Sequence, residues 1–411
     1  MKRSIPFLLV LAACTEPAVE APPPSEPAPA EEKPAPTEAP KARAIEGPTL
    51  LLSLAQFKTV AGKTQPGAAK LRIFHRDGKT FSESVLEDPE SKVFHKAACV
   101  NEPGLEGVLT IGATDAHLKL WTFSDGAWTA QTLWTGKFGG KFDRLRDFEL
   151  GDLDGDGASE IAIATHDQGV VTVMDHTEDG WKPIELYQKA DTFVHEIELG
   201  DIDGDKKLEI YATPSAPNRV GKAQSGDIVG FRYNKKRKKW ATETVVELVD
   251  RHAKEILVDD LDGDGKDELY AAVEAHGKPV QVQRFDKRKK KWLEKPVAEF
   301  AKGAQARVLL MTDLTGRGGR DIVVTTMSDG IWRIVPEKKG FDTVQIDPDS
   351  GGFEHAAHAT DLDADGTPEL YVTSDNDDEL RSYVWNGRGF DKTTIGTLDS
   401  KDLVWNIVSC N

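Results

Sequence analysis

The sequence predicts an all-β fold: a seven-bladed β-propeller whose C-terminal strand completes blade 1. Two patterns carry that reading. An acidic phrase follows an apolar stretch five times. It reads Asp152-Leu-Asp154-Gly-Asp156-Gly, Asp201-Ile-Asp203-Gly-Asp205, Asp260-Leu-Asp262-Gly-Asp264-Gly, Asp313-Leu-Thr315-Gly-Arg317-Gly and Asp361-Leu-Asp363-Ala-Asp365-Gly. The first aspartates lie 49, 59, 53 and 48 residues apart, a period at which one supersecondary unit stacks on the next. The second pattern is a series of seven aromatics, each just after a Gly- or Lys-rich turn: Phe81, Trp128, Trp181, Trp240, Trp292, Phe341 and Phe390. Short strands punctuated by turns, with no helical periodicity, mean an all-β chain.

From the N-terminus, Lys2 and Arg3 precede the apolar residues 5–11, a run too short to span a bilayer as a helix. Residues 1–13 therefore read as an export signal. Leu11-Ala-Ala-Cys14 is similar to a bacterial lipobox, which implies cleavage before Cys14 and a lipid on that cysteine. Residue 15 is threonine, not the aspartate that retains enterobacterial lipoproteins at the inner membrane. The expected location is the outer membrane or cell surface, with a periplasm-facing orientation left open. Residues 14–47 are rich in Pro, Ala and Glu and bury too little to fold, so they read as a disordered tether.

The propeller is expected over residues 48–411. Five acidic phrases mark blades 3 to 7. Asn101 lies 51 residues before Asp152 and marks blade 2, while Asn411 lies 50 after Asp361. Nothing follows Asn411, yet Pro48-Thr-Leu-Leu-Leu-Ser53 reads like the strand that should come next. The last strand is therefore expected to sit innermost in blade 1, closing the ring and hiding open edges. Cys99 lies two residues before its marker and Cys410 one before. That opposite parity turns the two toward each other across the junction of blades 1 and 2. A Cys99–Cys410 disulfide and a pair of buried thiols are the two readings.

The phrases resemble FG-GAP or VCBS repeats, found in integrin α-subunit propellers and bacterial surface proteins, and the resemblance covers about residues 48–411. In such repeats the loop after the innermost strand binds calcium through phrase positions one, three, five and nine. The resemblance thus implies Asp152, Asp154, Asp156 and Glu160 in blade 3; Asp201, Asp203, Asp205 and Glu209 in blade 4; Asp260, Asp262, Asp264 and Glu268 in blade 5; and Asp361, Asp363, Asp365 and Glu369 in blade 7. About four structural Ca²⁺ sites are expected. Four carboxylates in one turn repel one another unless a cation sits among them. Position nine is glutamate where the family often has aspartate, and Lys206 stands where glycine is usual. Blade 6 carries Thr315 and Arg317 in ligand positions, so no metal is expected there, and Arg317 should pair with Asp313 and Asp321.

Six residues before each marker stand His95, Arg146, His195, Lys254, Arg307, His355 and Trp405. They begin the innermost strands, at the end opposite the acidic loops. Six of the seven can be cationic in a chain of net charge −17. A ligand site for an anion or glycan at the channel mouth is one reading, with Trp405 as a stacking platform. Strand-start polarity balanced locally by Asp147, Glu196 and Glu255 is the other. Basic hairpin tips at residues 235–239 and 287–291 read either as one basic rim patch or as two solvated turns. The acidity argues against nucleic acid. No nucleophile elbow, phosphate loop or zinc-spaced cluster appears. The functional expectation is a single-copy, lipid-anchored binding or scaffold module for a glycan or protein partner. The alternative is a polysaccharide-active, lyase-like enzyme using the mouth cations.

Overall fold

In the computed structural model the described residues are 42–411, except 141–142, 167, 218–221, 289–290, 303, 401 and 411. The expected leader, the lipidation site at Cys14 and most of the tether lie outside them. Residues 41–411 form one compact unit. Its strands assemble into seven antiparallel sheets, each four strands deep from channel to rim. The innermost strands are Phe94–Glu102, Arg144–Gly151, Phe193–Gly200, Arg251–Asp259, Ala306–Thr312 and Ala357–Thr360 for blades 2 to 7. For blade 1 the innermost strand is Asp402–Cys410, paired antiparallel with Thr49–Val60 so that Thr49 faces Cys410. The chain is therefore all-β and seven-bladed, and its C-terminal strand closes the ring. An added feature is the short strand Lys63–Pro66, which folds back on Thr49–Val60.

Each junction between neighbouring blades holds its own apolar cluster. Tyr270, Val282 and Phe300 of blade 5, for example, meet Ile322, Val324 and Ile334 of blade 6. The ring closure is sealed by Leu50, Leu52 and Phe74 of blade 1 against Tyr371 and Leu380 of blade 7. This placement explains the seven aromatics. Trp128, Trp181, Trp240, Trp292, Phe341 and Phe390 each open an outer strand and lean into the junction with the preceding blade. Phe81 does the same across the closure, edge-on to Tyr371 at 6.4 Å between centroids. Large rings bury much apolar area at a joint that no sheet ladder crosses among the described residues.

Cys99 and Cys410 are disulfide-bonded, with their Cα atoms 5.6 Å apart. The bond ties the innermost strand of blade 2 to that of blade 1. Closure thus rests on a strand pairing toward blade 1's rim and a covalent link toward blade 2.

Candidate functional site

The two ends of the innermost strands are chemically different. At one end lie the acidic loops. In all five, the first aspartate caps the turn. Asp152 accepts from the N–H groups of Gly155, Asp156 and Gly157 at 2.7, 3.1 and 3.0 Å. Asp201, Asp260 and Asp361 do the same in their loops. Asp313 does so in blade 6, where the later carboxylates are missing. This position therefore shapes the turn whether or not a metal follows. Glutamate at position nine reaches back: Glu160, Glu268 and Glu369 accept from Leu153, Leu261 and Leu362 N–H at 2.7, 3.0 and 2.9 Å. The longer side chain spans the loop and leaves one oxygen toward the carboxylate cluster. Lys206 sits at φ 64°, a left-handed conformation that is uncommon for non-glycine residues.

Four loops bring metal-type ligand atoms within 4.8 Å of one another. Blade 5 gathers Asp260, Asp262, Asp264 and Glu268, blade 3 Asp152, Asp154 and Glu160, blade 4 Asp201, Asp203 and Asp205, and blade 7 Asp361, Asp363 and Glu369. Asp156, Glu209 and Asp365 stand outside those tight groups. The loops differ in what opposes their charge. In blade 4, Arg232 donates to Asp203 at 2.6 Å and Asp205 at 2.5 Å and lies 3.3 Å from Glu209. In blade 7, Arg76 reaches across from blade 1 to Asp363 at 3.0 Å and Glu369 at 2.9 Å. In blade 5, Arg284 touches only Glu268, at 3.4 Å, and is drawn off to Asp286 at 2.6 Å. In blade 3 no arginine is bonded to the cluster among the described residues. There Asp154 Oδ1 is buried with no hydrogen-bond partner. Burial and the neighbouring Asp156 and Asp152 push its carboxyl up. Burial likewise raises Glu160 and Glu268 to about 7. The donor sets of blades 3 and 5, all oxygen and anionic, fit a hard divalent cation.

Blade 6 corrects one expectation. Arg317 Nε donates to Thr315 at 3.0 Å, not to Asp313 or Asp321. The partner of Asp321 is Arg333 on the third strand, whose Nε donates to it at 2.8 Å. Both are almost fully buried. A guanidinium on the neighbouring strand can reach the pocket floor, whereas Arg317 is on the exposed rim of the turn.

The basic hairpin tips are partly spent on contacts between blades. Lys235 donates to Gly155 O at 2.5 Å, and Lys287 to Glu243 at 2.5 Å. Lys289 and Lys290 lie outside the described residues.

At the other end, the structure adds what the pattern of markers lacked. The six ring positions of blades 1 to 6 fall where the innermost strand bulges. Leu145 and Asp147 pair with Thr165 and Ala164, leaving Arg146 extra. The same holds for His95, Lys254, Arg307 and Trp405. In blade 4, His195 and Glu196 together face one residue. A bulge re-aims its extra side chain, and these line two adjoining cavities at the channel mouth. The outer, of about 380 Å³, takes His95, Arg146, His195, Lys254 and Trp405, with Arg144 and Phe353. The inner, of about 100 Å³, includes Arg307.

His355 does not join them. The inner strand of blade 7 is short and starts only at Ala357. His355 is 0% exposed and fixed by Thr326 O and Ser350 Oγ, both at 2.8 Å. Its neighbour Glu354 lines both cavities instead.

The charge of the ring also differs from the expectation. Burial first, then adjacent arginines, holds His95 and His195 well below the usual histidine range. Burial brings His355 down to about 4. These rings are neutral at pH 7. His95 Nδ1 donates to Leu145 O at 2.6 Å, whereas His195 Nε2 is buried and unpaired. The positive charge of the mouth comes from Arg144, Arg146, Lys254 and Arg307. Arg146 lies 5.0 Å from the Trp405 ring and Arg307 5.4 Å from Phe353. The sequence pattern passed over Arg144, Phe353 and Glu354, which sit one or two residues off the six-residue offset.

Comparison with known proteins supports the fold. Residues 152–212 match the model of the FG-GAP-like repeat, a span that holds the blade 3 and blade 4 loops. No curated protein matches the sequence. A candidate 6-phosphogluconolactonase of Bacteroides uniformis superposes with TM-score 0.54 at 12% identity, covering 89% of this chain and 100% of that one. The periplasmic gluconolactonase of Pseudomonas aeruginosa gives TM-score 0.53 at 13% identity, covering 88% and 99%. The Dos1 propeller gives 0.52 at 9%, covering 88% and 86%. At such identities the likeness is one of architecture. The chain is thus a seven-bladed β-propeller that carries an FG-GAP-like repeat.

Proposed function

We propose that this protein is a calcium-stabilised, lipid-anchored binding module exported from a bacterial cytoplasm, with an acidic glycan or an acidic protein segment as its ligand. The observation that carries the reading is the mouth itself. Six bulges aim side chains at one place, where Arg144, Arg146, Lys254 and Arg307 meet Trp405 and Phe353. Cationic groups over aromatic faces in a concave site are what an anionic ligand with an apolar or sugar face would use. Calcium belongs in the loops of blades 3 and 5, held by Asp152, Asp154 and Glu160 and by Asp260, Asp262, Asp264 and Glu268. In the blade 4 and blade 7 loops, Arg232 and Arg76 already supply the opposing charge. The ion would bridge loop and second strand and supply no chemistry to the mouth.

A glycan array containing uronate and sulfated oligosaccharides tests the reading. Binding that is lost in the Arg146→Gln, Lys254→Gln double variant, with the melting temperature preserved, is the expected result. Failure to bind any anionic glycan would remove the glycan from the reading and leave only the acidic protein segment. One feature favours an enzyme as the second reading: the neutral His195, with a free Nε2 beside Arg146, has the form of a general base next to a cation. Turnover of a uronate substrate by the parent and none by His195→Gln would establish that alternative.

A further inference from the structure

Below the mouth the channel changes sign. Because each bulge inserts one residue, the residue after it also faces the channel. Those next residues are Lys96, Asp147, Glu196, Glu255, Val308 and Asn406, and all of them line the inner cavity. Two residues further along the strands, on the same face, come Glu149 and Glu198. Blades 3, 4 and 5 therefore contribute five carboxylates below a cationic rim, while blade 6 contributes Val308 and Leu309.

Among the described residues, one cation is ion-paired to the five. Lys96 binds Asp147 at 2.8 Å and Glu149 at 2.5 Å, so its charge is taken. Asp147 is further held by Ile197 N–H at 3.0 Å. Glu196, Glu198 and Glu255 have no ion pair among the described residues. Burial pushes each of them up, and so do the surrounding carboxylates, against a smaller opposing pull from Lys96 on Glu196 and Glu198 and from Arg146 on Glu255. Other side chains on the inner cavity are short of a partner, among them Trp405 through its indole Nε1. His195, 4% exposed, has an unpaired Nε2, and Arg307, 6% exposed, has an unpaired Nε. Nitrogens without partners thus stand one layer above cation-seeking carboxylates. The two cavities share His95, Arg146, His195, Glu354 and Trp405 as walls, so a single molecule can reach both layers.

We propose that the channel binds a small zwitterionic ligand, an amino sugar bearing an acidic group, with its ammonium between Glu196 and Glu255 and its anion against Arg146, Lys254 and Arg307. The inference rests on the mouth being a ligand site and adds the class of ligand. The ammonium places one positive charge where the channel has an excess of carboxylates. The acid offers acceptors to Arg307 and, in its Nε2–H tautomer, to His195, and the sugar face lies on Trp405. An anion alone would meet only the upper layer and a cation only the lower.

Titration calorimetry of the full chain in calcium-containing buffer at pH 7 tests this with three probes. They are D-glucosamine 6-phosphate, D-glucose 6-phosphate and D-glucosamine. D-glucosamine 6-phosphate should bind at least about tenfold more tightly than either single-charge probe, since two charge-assisted sets of hydrogen bonds replace one. In the Glu196→Gln, Glu255→Gln double variant its advantage over D-glucose 6-phosphate should vanish, with the affinity for D-glucose 6-phosphate retained. If that variant does not fold, Glu255→Gln alone should cut the advantage in part. Equal affinity of the parent for the two phosphates would overturn the zwitterion while leaving an anion site at the mouth. No binding of any of the three would overturn both.

Discussion

The same innermost strands end in two kinds of site. At the acidic-loop end, the arrangement rests on turn chemistry: an aspartate caps the loop, and its neighbours present oxygens. At the mouth end, it rests on bulges, which give six strands one extra residue each. The first device repeats a motif and differs between blades mainly in which arginine leans in. The second repeats a position and varies the residue freely. A repeat protein can thus keep one end of its unit uniform and vary the other.

The largest effect expected belongs to the loop end. Chelation should lower the melting temperature by about 10 °C, on about 2.7 kcal/mol for each of two loops at a hundredfold ligand excess. An unchanged midpoint by calorimetry would erase the contrast between the ends. Next comes the closure. Cys99→Ser with Cys410→Ser should cost about 2–4 kcal/mol, read as a lower denaturant midpoint. Third, Glu160→Gln should remove about half of the calcium-dependent increase in melting temperature, while Glu209→Gln should leave it nearly intact, because Arg232 already holds blade 4. Equal losses in the two variants would show that the arginine does not substitute for an ion.

The smallest effect concerns pH at the mouth end. Burial raises Glu274 to about 8 and lowers its neighbour His252, 3.7 Å away, to about 4. Near pH 6 both are neutral, so this contact is not an ion pair. A carboxyl raised in the folded state lends stability that is full below its unfolded pKa of 4.5 and is lost as pH rises toward 8. Glu274→Gln should therefore leave the melting temperature nearly unchanged at pH 4.5 and raise it by about 1–3 °C at pH 8. His252, lowered on folding, works in the opposite sense, losing stability as pH falls from 6.5 toward 4. A flat difference across that window would mean Glu274 is already ionised.

Much of this was legible in the sequence because the signals are local. The aromatics at 81, 128 and onward mark outer strands since each must plug the joint behind it. The parity of Cys99 and Cys410 set their facing. Other features come from strands far apart in the chain. Arg76 serves a loop nearly 290 residues away, and no spacing could announce it. The ring positions were readable as an offset, but not as bulges. The neutral state of their histidines depends on burial among arginines from neighbouring blades. The loss of His355 follows from a strand that starts two residues late.

The bulges carry one more consequence. A bulged residue has no cross-strand partner in its ladder, so exchanging its side chain leaves the strand register intact. Arg146 and Lys254 are the half-buried positions where this freedom is greatest, whereas His95 is also bonded to Leu145 O and Trp405 packs on Ala55, Val93 and Ala113. Related chains built this way are expected to share a frame and diverge in what they hold, as one lock body accepts many sets of pins.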